Sequence, residues 1–185
     1  MPDVIKSGDS GNVAIVNDEG RVLTNSIAKT DLGHAAQSGK TFALTTDFIS
    51  LTTLGSYSGI IYIKNTDTVY IEIGVLRACG TTLSQWKIYK NPTTGTLISG
   101  GAAITPVNTN FISGVSLSVT AVKGADARTV TDGTLLGQWV CAADNCEFIL
   151  DGAIILAPNN SIALVCKPFA AGEFCAWLLF KKEDA

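Results

Sequence analysis

Residues 153–180 read AIILAPNNSIALVCKPFAAGEFCAWLLF, and this ending decides the fold class. An apolar run reaches Leu156 and stops at Ala157-Pro158-Asn159-Asn160. There proline withdraws a backbone donor and the asparagines favour a turn. A second apolar strand, 161–166, follows at once, then a turn at 169–172 and a final apolar strand at 173–180. Three apolar strands joined by two such turns are a common ending for jelly rolls. An immunoglobulin-like sandwich is the alternative architecture.

Upstream, period-two alternation recurs. Val69, Ile71, Ile73 and Val75 mark one face of strand 69–76, and Val115, Leu117, Val119 and Ala121 mark one face of 115–122. Strand 57–64, YSGIIYIK, precedes 69–76 across Asn65-Thr66-Asp67, so the two are read as an antiparallel hairpin. Shorter strands are expected at 41–44, 48–51, 85–89, 96–98, 102–105, 134–141 and 147–150. Asn91-Pro92 ends the strand that carries Trp86 and Ile88. Roughly eight to ten strands with frequent turns indicate an all-β sandwich or barrel. No fixed-period repeat argues for a propeller or solenoid.

The N-terminal stretch 10–24 reads SGNVAIVNDEGRVLT. Two apolar runs, 13–16 and 22–23, flank Asn17-Asp18-Glu19-Gly20, and Gly20 can close a short hairpin loop in the left-handed conformation. Residues 1–9 carry little apolar content and read as a flexible arm. Asp31 can cap one helical turn over 31–37, but Gly33 opposes it, and the segment is assigned to a linker over 25–40. The chain is thus expected to comprise an arm, hairpin and linker, 1–40, and an antiparallel jelly-roll-like β-sandwich, 41–185.

Hydrophobic residues make up 46% of the 185 and charged residues only 16%, against ~25% in most globular chains. A chain of this length buries a sizeable core without disulfides or metals. The net charge of −3, with no basic cluster, argues against nucleic acid as the main partner. No Asp, Glu, Lys or Arg stands between Lys90 and Lys123, or between Asp151 and Lys167. Such stretches belong in a core or against other subunits, because charge is depleted at interface centres. Neither a signal peptide nor a run of ~20 apolar residues is found, so synthesis in a cytoplasm and no membrane partner are expected.

Of the five cysteines, Cys79, Cys141, Cys146, Cys166 and Cys175, the odd number favours reduced, buried thiols. Cross-strand bonds Cys141–Cys146 and Cys166–Cys175 are the alternative. Zinc is disfavoured by the spacing and by the single, remote His34. No cofactor is expected. Nucleophilic catalysis needs a base beside its nucleophile, and His34 sits in the linker. Glu72, Glu147 and Glu173 are the carboxylates a glycosidase would need to pair. Asp126, Asp132 and Asp144 are loop residues that could meet calcium, but turn formation accounts for them more simply. Trp86, Trp139 and Trp177 fit core positions better than a sugar-stacking platform.

Residues 11–22, GNVAIVNDEGRV, resemble the N-terminal part of accessory virion proteins of tailed bacteriophages. Ile88-Tyr89-Lys90-Asn91-Pro92-Thr93-Thr94-Gly95-Thr96 and Thr131-Asp132-Gly133 in the threonine-rich body extend that similarity. The resemblance implies a non-enzymatic structural protein on the virion: a decoration or cement protein on the capsid surface. Its partner would be the major capsid protein, met through Val4, Ile5, Val13, Ile15, Val22 and Leu23, with strand addition fixing the register. A homo-oligomer, most simply a homotrimer, would cover the uncharged β surfaces. The alternatives are a receptor- or glycan-binding domain of a tail or head fibre, and, ranked last, a glycan-cleaving enzyme.

Overall fold

The structure, a computed structural model, describes residues 4–6, 13–16, 22–23 and 31–183, with side chains over 33–143 and 153–183. The chain divides into two compact units, Met1–Thr30 and Asp31–Ala185.

In the first unit, β1 (Val4–Lys6), β2 (Val13–Val16) and β3 (Val22–Leu23) form one antiparallel sheet in that order. The hairpin read from 10–24 is β2–β3, with Ile15 opposite Leu23 and Val16 opposite Val22. The segment read as a flexible arm contributes a strand instead: Val4 pairs with Ile15 and Ile5 with Ala14.

The second unit begins with α1 (Asp31–Gln37), where a linker was expected. The helix forms despite Gly33 because its Ala35 is buried, and the Ala35 carbonyl accepts from the Lys40 N–H at 2.8 Å. Tertiary packing outweighs a propensity deficit of about 1 kcal/mol.

Eight longer strands make the body: β4 (Thr41–Thr45), β6 (Ser58–Asn65), β7 (Ile71–Gly80), β8 (Ser84–Lys90), β12 (Thr134–Cys141), β13 (Asp144–Leu156), β14 (Ser161–Pro168) and β15 (Gly172–Lys182). Their pairing is nested. The first pairs with the last, β4 with β15; then β6 with β14, β7 with β13, and β8 with β12. The result is two facing sheets, β4-β15-β7-β13 and β6-β14-β8-β12, which is the strand order of a jelly roll. Short strands extend both sheets: β5 (Ile49–Leu51) on β15, β10 (Val107–Asn108) on β4, β11 (Val119–Lys123) on β6, and β9 (Ala102–Ala103) on β11.

This nesting corrects the expected hairpin of 57–64 with 69–76. β6 and β7 lie in different sheets, and the chain crosses between them at 65–70. Asn65, fully buried, fixes the crossing. Its Nδ2 donates to the Val69 and Leu156 carbonyls, both at 2.8 Å, and its Oδ1 accepts from the Asp67 N–H. The alternation read over 69–75 also breaks. The register skips Gly74, so Ile71 and Ile73 face the core, Val75 turns outward, and Leu76 and Ala78 take its place inside. Residues 96–98, expected as a strand, are part of α2 (Thr96–Gly100). Its Leu97 packs on Tyr62, Val122 and Ala163, outside the sheet that holds β6.

The core lies between the sheets. Trp86 and Phe174 meet edge to face at 6.3 Å, and Phe42 stacks on Phe180. Trp86 satisfies its indole N–H on Ser84 Oγ at 2.9 Å. Trp139 packs against this core from one edge. Trp177 does not join it. Its neighbours on β15, Ala176 and Leu178, face inward, so Trp177 lies half-buried on the outer face, with the Arg77 guanidinium 5.4 Å above its ring.

Candidate functional site

The connection from β8 to β12 spans residues 91–133. It contains α2, β9, β10 and β11 and wraps the β4/β6 side of the sandwich. Most connections in compact domains run to about 4–6 residues, so this is a long excursion with elements of its own. Its uncharged part, 91–122, lies largely on the surface; among its few buried side chains are Leu97, Ala121 and Val122.

The most exposed large apolar side chains of this excursion lie in the turn after β10. Phe111 and Ile112 stand 94% and 95% exposed at its tip. These two side chains are adjacent, and a contiguous exposed apolar patch is what marks a contact site. The turn beneath them is firmly built. Asn108 Nδ2 donates to the Gly39 and Val115 carbonyls at 2.7 and 3.0 Å. The Thr109 N–H and Oγ1 both donate to the Thr41 carbonyl, and Asn110 Nδ2 donates to the Gln37 carbonyl at 3.0 Å. The Ser113 N–H closes the turn on the Asn110 carbonyl. Gly39, at φ +72°, lies so close to Ser113 that a Cβ there would fall 2.3 Å from the Ser113 Cβ, so only glycine fits. The other foot is held by charge. Lys182 Nζ binds Asp67 at 2.8 Å and the Ser116 carbonyl at 3.1 Å, while Asp67 accepts from the Ser118 N–H. The Lys182 hydrogen bond holds the Asp67 carboxyl down at about 2.

On the opposite edge the sandwich is open. A cleft of about 420 Å³ runs between the edge strands β12 and β13, walled by Leu76, Ile88, Leu136, Trp139, Ile154 and Ile162. Lys90, Asn91 and Asn160 stand at its rim. β12 carries no charge, and Leu135, Leu136 and Val140 on it are about half exposed. An uncharged, exposed edge strand invites pairing with another chain, and proteins usually guard against that.

The expected chemical groups are placed as follows. Glu72 is bound to Lys181 at 3.0 Å, and Lys181 also holds Glu183, which with Glu72 raises its pKa to about 12. Glu173 lies near the far end of β15, eight positions from Lys181, the residue opposite Glu72. That is roughly 26 Å along a strand, so these two carboxylates do not face one substrate. The side chains of Glu147 and Asp144 lie outside the described residues. His34 is exposed on α1. Asp126 and Asp132 each clip a distant threonine pair. Burial works against the charge of Asp126, yet Thr52 Oγ1 at 2.6 Å and the Thr53 N–H and Oγ1 hold its carboxyl down at about 2. Thr93 Oγ1, with the Thr93 and Thr94 N–H groups, does the same for Asp132. Among the described residues, no three metal-ligating side chains gather.

The thiols divide. Cys141 is disulfide-bonded, against the expectation of reduced cysteines throughout. Cys79, Cys166 and Cys175 carry no disulfide, so the alternative Cys166–Cys175 bond is not made. The register explains why: Cys175 lies opposite Cys79, on the outer face, while Cys166 is buried in the other sheet.

Pairing in the first unit sets Val4, Ile15 and Leu23 in one row across the sheet, with Val16–Val22 and Ile5–Ala14 in the rows beside it. The side chains of the expected docking set, Val4, Ile5, Val13, Ile15, Val22 and Leu23, lie outside the described residues. Sequence reasoning passed over Phe111 and Ile112. The available signal was an apolar pair between Asn110 and Ser113-Gly114, two turn-forming sites, in the middle of an uncharged run.

Compared with protein-family models and with curated proteins, the chain matches none.

Proposed function

We propose that this chain is a virion structural protein that decorates and reinforces a phage capsid. The single observation that carries the reading is the uncharged excursion, 91–122, spread over the surface of a jelly-roll body. Free monomers dilute their surface with charge, and interface centres exclude it. The reading combines that surface with the resemblance of residues 11–22 to phage accessory proteins. In it, the sheet of the first unit docks on the major capsid protein through Val4, Ile5, Val13, Ile15, Val22 and Leu23. The body associates with its own copies, a homotrimer being the simplest closed form. Each trimer thereby ties several capsid subunits together, and weak contacts add through effective concentration.

The test is co-sedimentation with phage heads that lack accessory proteins. The full chain is expected to bind saturably, and a variant lacking residues 1–24 is expected to stay in the supernatant while its body remains folded by circular dichroism. Absence of binding by the full chain overturns the capsid role. Titration against host-envelope glycans then tests the domain as a receptor-binding module.

A further inference from the structure

The geometry points to a head-to-tail contact between copies of this chain, in which Phe111 and Ile112 of one subunit fill the cleft between β12 and β13 of the next. The inference deepens the self-association half of the proposed function and rests on that half alone.

The knob and the cleft lie on opposite edges of the same sandwich. β10, which leads into the knob, is the outermost strand beside β4, and β13, which walls the cleft, is the outermost strand beside β7. Four strand pairings separate them, roughly 19 Å, so a subunit cannot fill its own cleft. A surface knob matched to a pocket elsewhere on the same molecule makes a heterologous contact, which yields a ring when the rotation closes.

Register links the two sites. Asn108 is opposite Phe42, Phe42 opposite Phe180, Phe180 opposite Ile73, and Ile73 opposite Ile154. The row that ends at the base of the knob therefore begins in the wall of the cleft. The knob's base and the cleft wall thus lie at opposite ends of one cross-strand row, so a head-to-tail contact joins the two ends of that row in neighbouring copies.

Size and charge agree. A cavity of about 150 Å³ lined by apolar side chains accepts one benzene ring. The 420 Å³ cleft therefore has room for the Phe111 ring and the Ile112 side chain together. The knob stretch is uncharged from 91 to 122, and among the described residues the cleft lining carries one charge, Lys90, at its rim. Standing at the rim, Lys90 keeps contact with water when knob and cleft meet. The hydrogen bonds below the knob hold it in place before contact, so little ordering remains to oppose association. Area sets how many contacts each subunit needs. The Phe111 ring offers roughly 200 Å². With Ile112 and the cleft walls the contact reaches several hundred Å², short of the ~1,200 Å² of a stable pairwise interface. One contact is therefore weak, and stability requires each subunit to use both its knob and its cleft.

The experiment is sedimentation velocity on the full chain without phage particles. The unmodified chain is expected to sediment as a closed ring, a trimer of 19.3 kDa subunits. Phe111→Ser with Ile112→Ser, and separately Leu136→Glu at the cleft, are each expected to give a threefold loss of mass with an unchanged circular dichroism spectrum at 25 °C. Both sites are exposed to water, so both variants are expected to fold, which the spectrum checks. Cysteines placed at Ile112 and Leu136 of the same chain are expected to cross-link under mild oxidation into a covalent ladder ending at the ring, while either single cysteine gives none. A monomeric unmodified chain, unchanged mass in either surface variant, or a double-cysteine chain that stops at monomer overturns the contact. Head binding by monomeric variants leaves the capsid role standing without the ring. A ring that ignores heads does the reverse.

Discussion

Residues 152–166 and residues 91–122 share the absence of charge and differ in how much of each is buried. The first stretch leads into β14, which is paired on both sides, by β6 and β8; Ile162, Ala163, Leu164, Val165 and Cys166 on it are all buried. There, charge is missing because a folded core cannot hold it unpaired. The second stretch wraps the outside of the sandwich and presents Phe111 and Ile112 to water. No folding constraint forbids a lysine at those positions. An uncharged sequence is thus two different statements, and only burial tells which is being made.

Adding one positive charge to each stretch is the direct way to break this comparison. Leu164→Lys, at a site 1% exposed, is expected to cost more than about 5 kcal/mol, a large share of the roughly 5–15 kcal/mol that hold a domain. The variant should show no cooperative melt at 25 °C, and a melt like that of the unmodified chain would mean β14 is not core. The next largest effect sharpens the buried side. Asn65→Ala leaves the Val69 and Leu156 carbonyls without their donor and is expected to lower stability by about 2–3 kcal/mol in urea titration.

A smaller effect belongs to the surface clips. The folded Asp126 carboxyl is held at about 2, below the ~3.9 of an unfolded chain. Its contribution is therefore full above about pH 4 and lost as pH falls through about 2. Asp126→Ala should cost no more than about 1 kcal/mol at pH 7. In urea titrations the gap between variant and unmodified chain should narrow from about pH 4 downward and close only below about pH 2; a gap that persists there would show that the clip acts other than through its charge. The smallest stability effect closes the comparison. Ile112→Lys should shift stability by less than about 0.5 kcal/mol in thermal melts. A cost like that of Leu164→Lys would place the tip of the excursion in the core and erase the distinction drawn here.

The sandwich itself was legible, and so was its jelly-roll ending. Period-two patterning and turn residues gave β12 over 134–141 with its observed bounds, and gave β14 and β15 nearly so. What failed was the assumption that neighbours in sequence pair in space. β6 and β7 carry patterns that suit a hairpin, yet nesting sends them to opposite sheets, a choice made by β14 and β13 far downstream. The turn at Gly74 was invisible because a bulge leaves the residue types unchanged while reversing the faces. The Asp126 and Asp132 clips were read only as turns, because their threonine partners lie 73 and 39 positions away. Phe111 and Ile112 escaped for the opposite reason: apolar side chains are read as core until exposure is known.

The nested pairing also sets a timetable. Thr46, at the end of β4, and Ala176 on β15 hydrogen-bond across 130 positions of chain. At roughly 5–20 residues per second of synthesis, β4 waits on the order of ten seconds for the strand that completes its sheet. Through that interval its apolar face is open to any passing strand. The body must therefore fold late and through distant contacts, which are slow to form. In the first unit, by contrast, β1 to β3 need only their immediate neighbours and can pair while the rest of the chain is still being made.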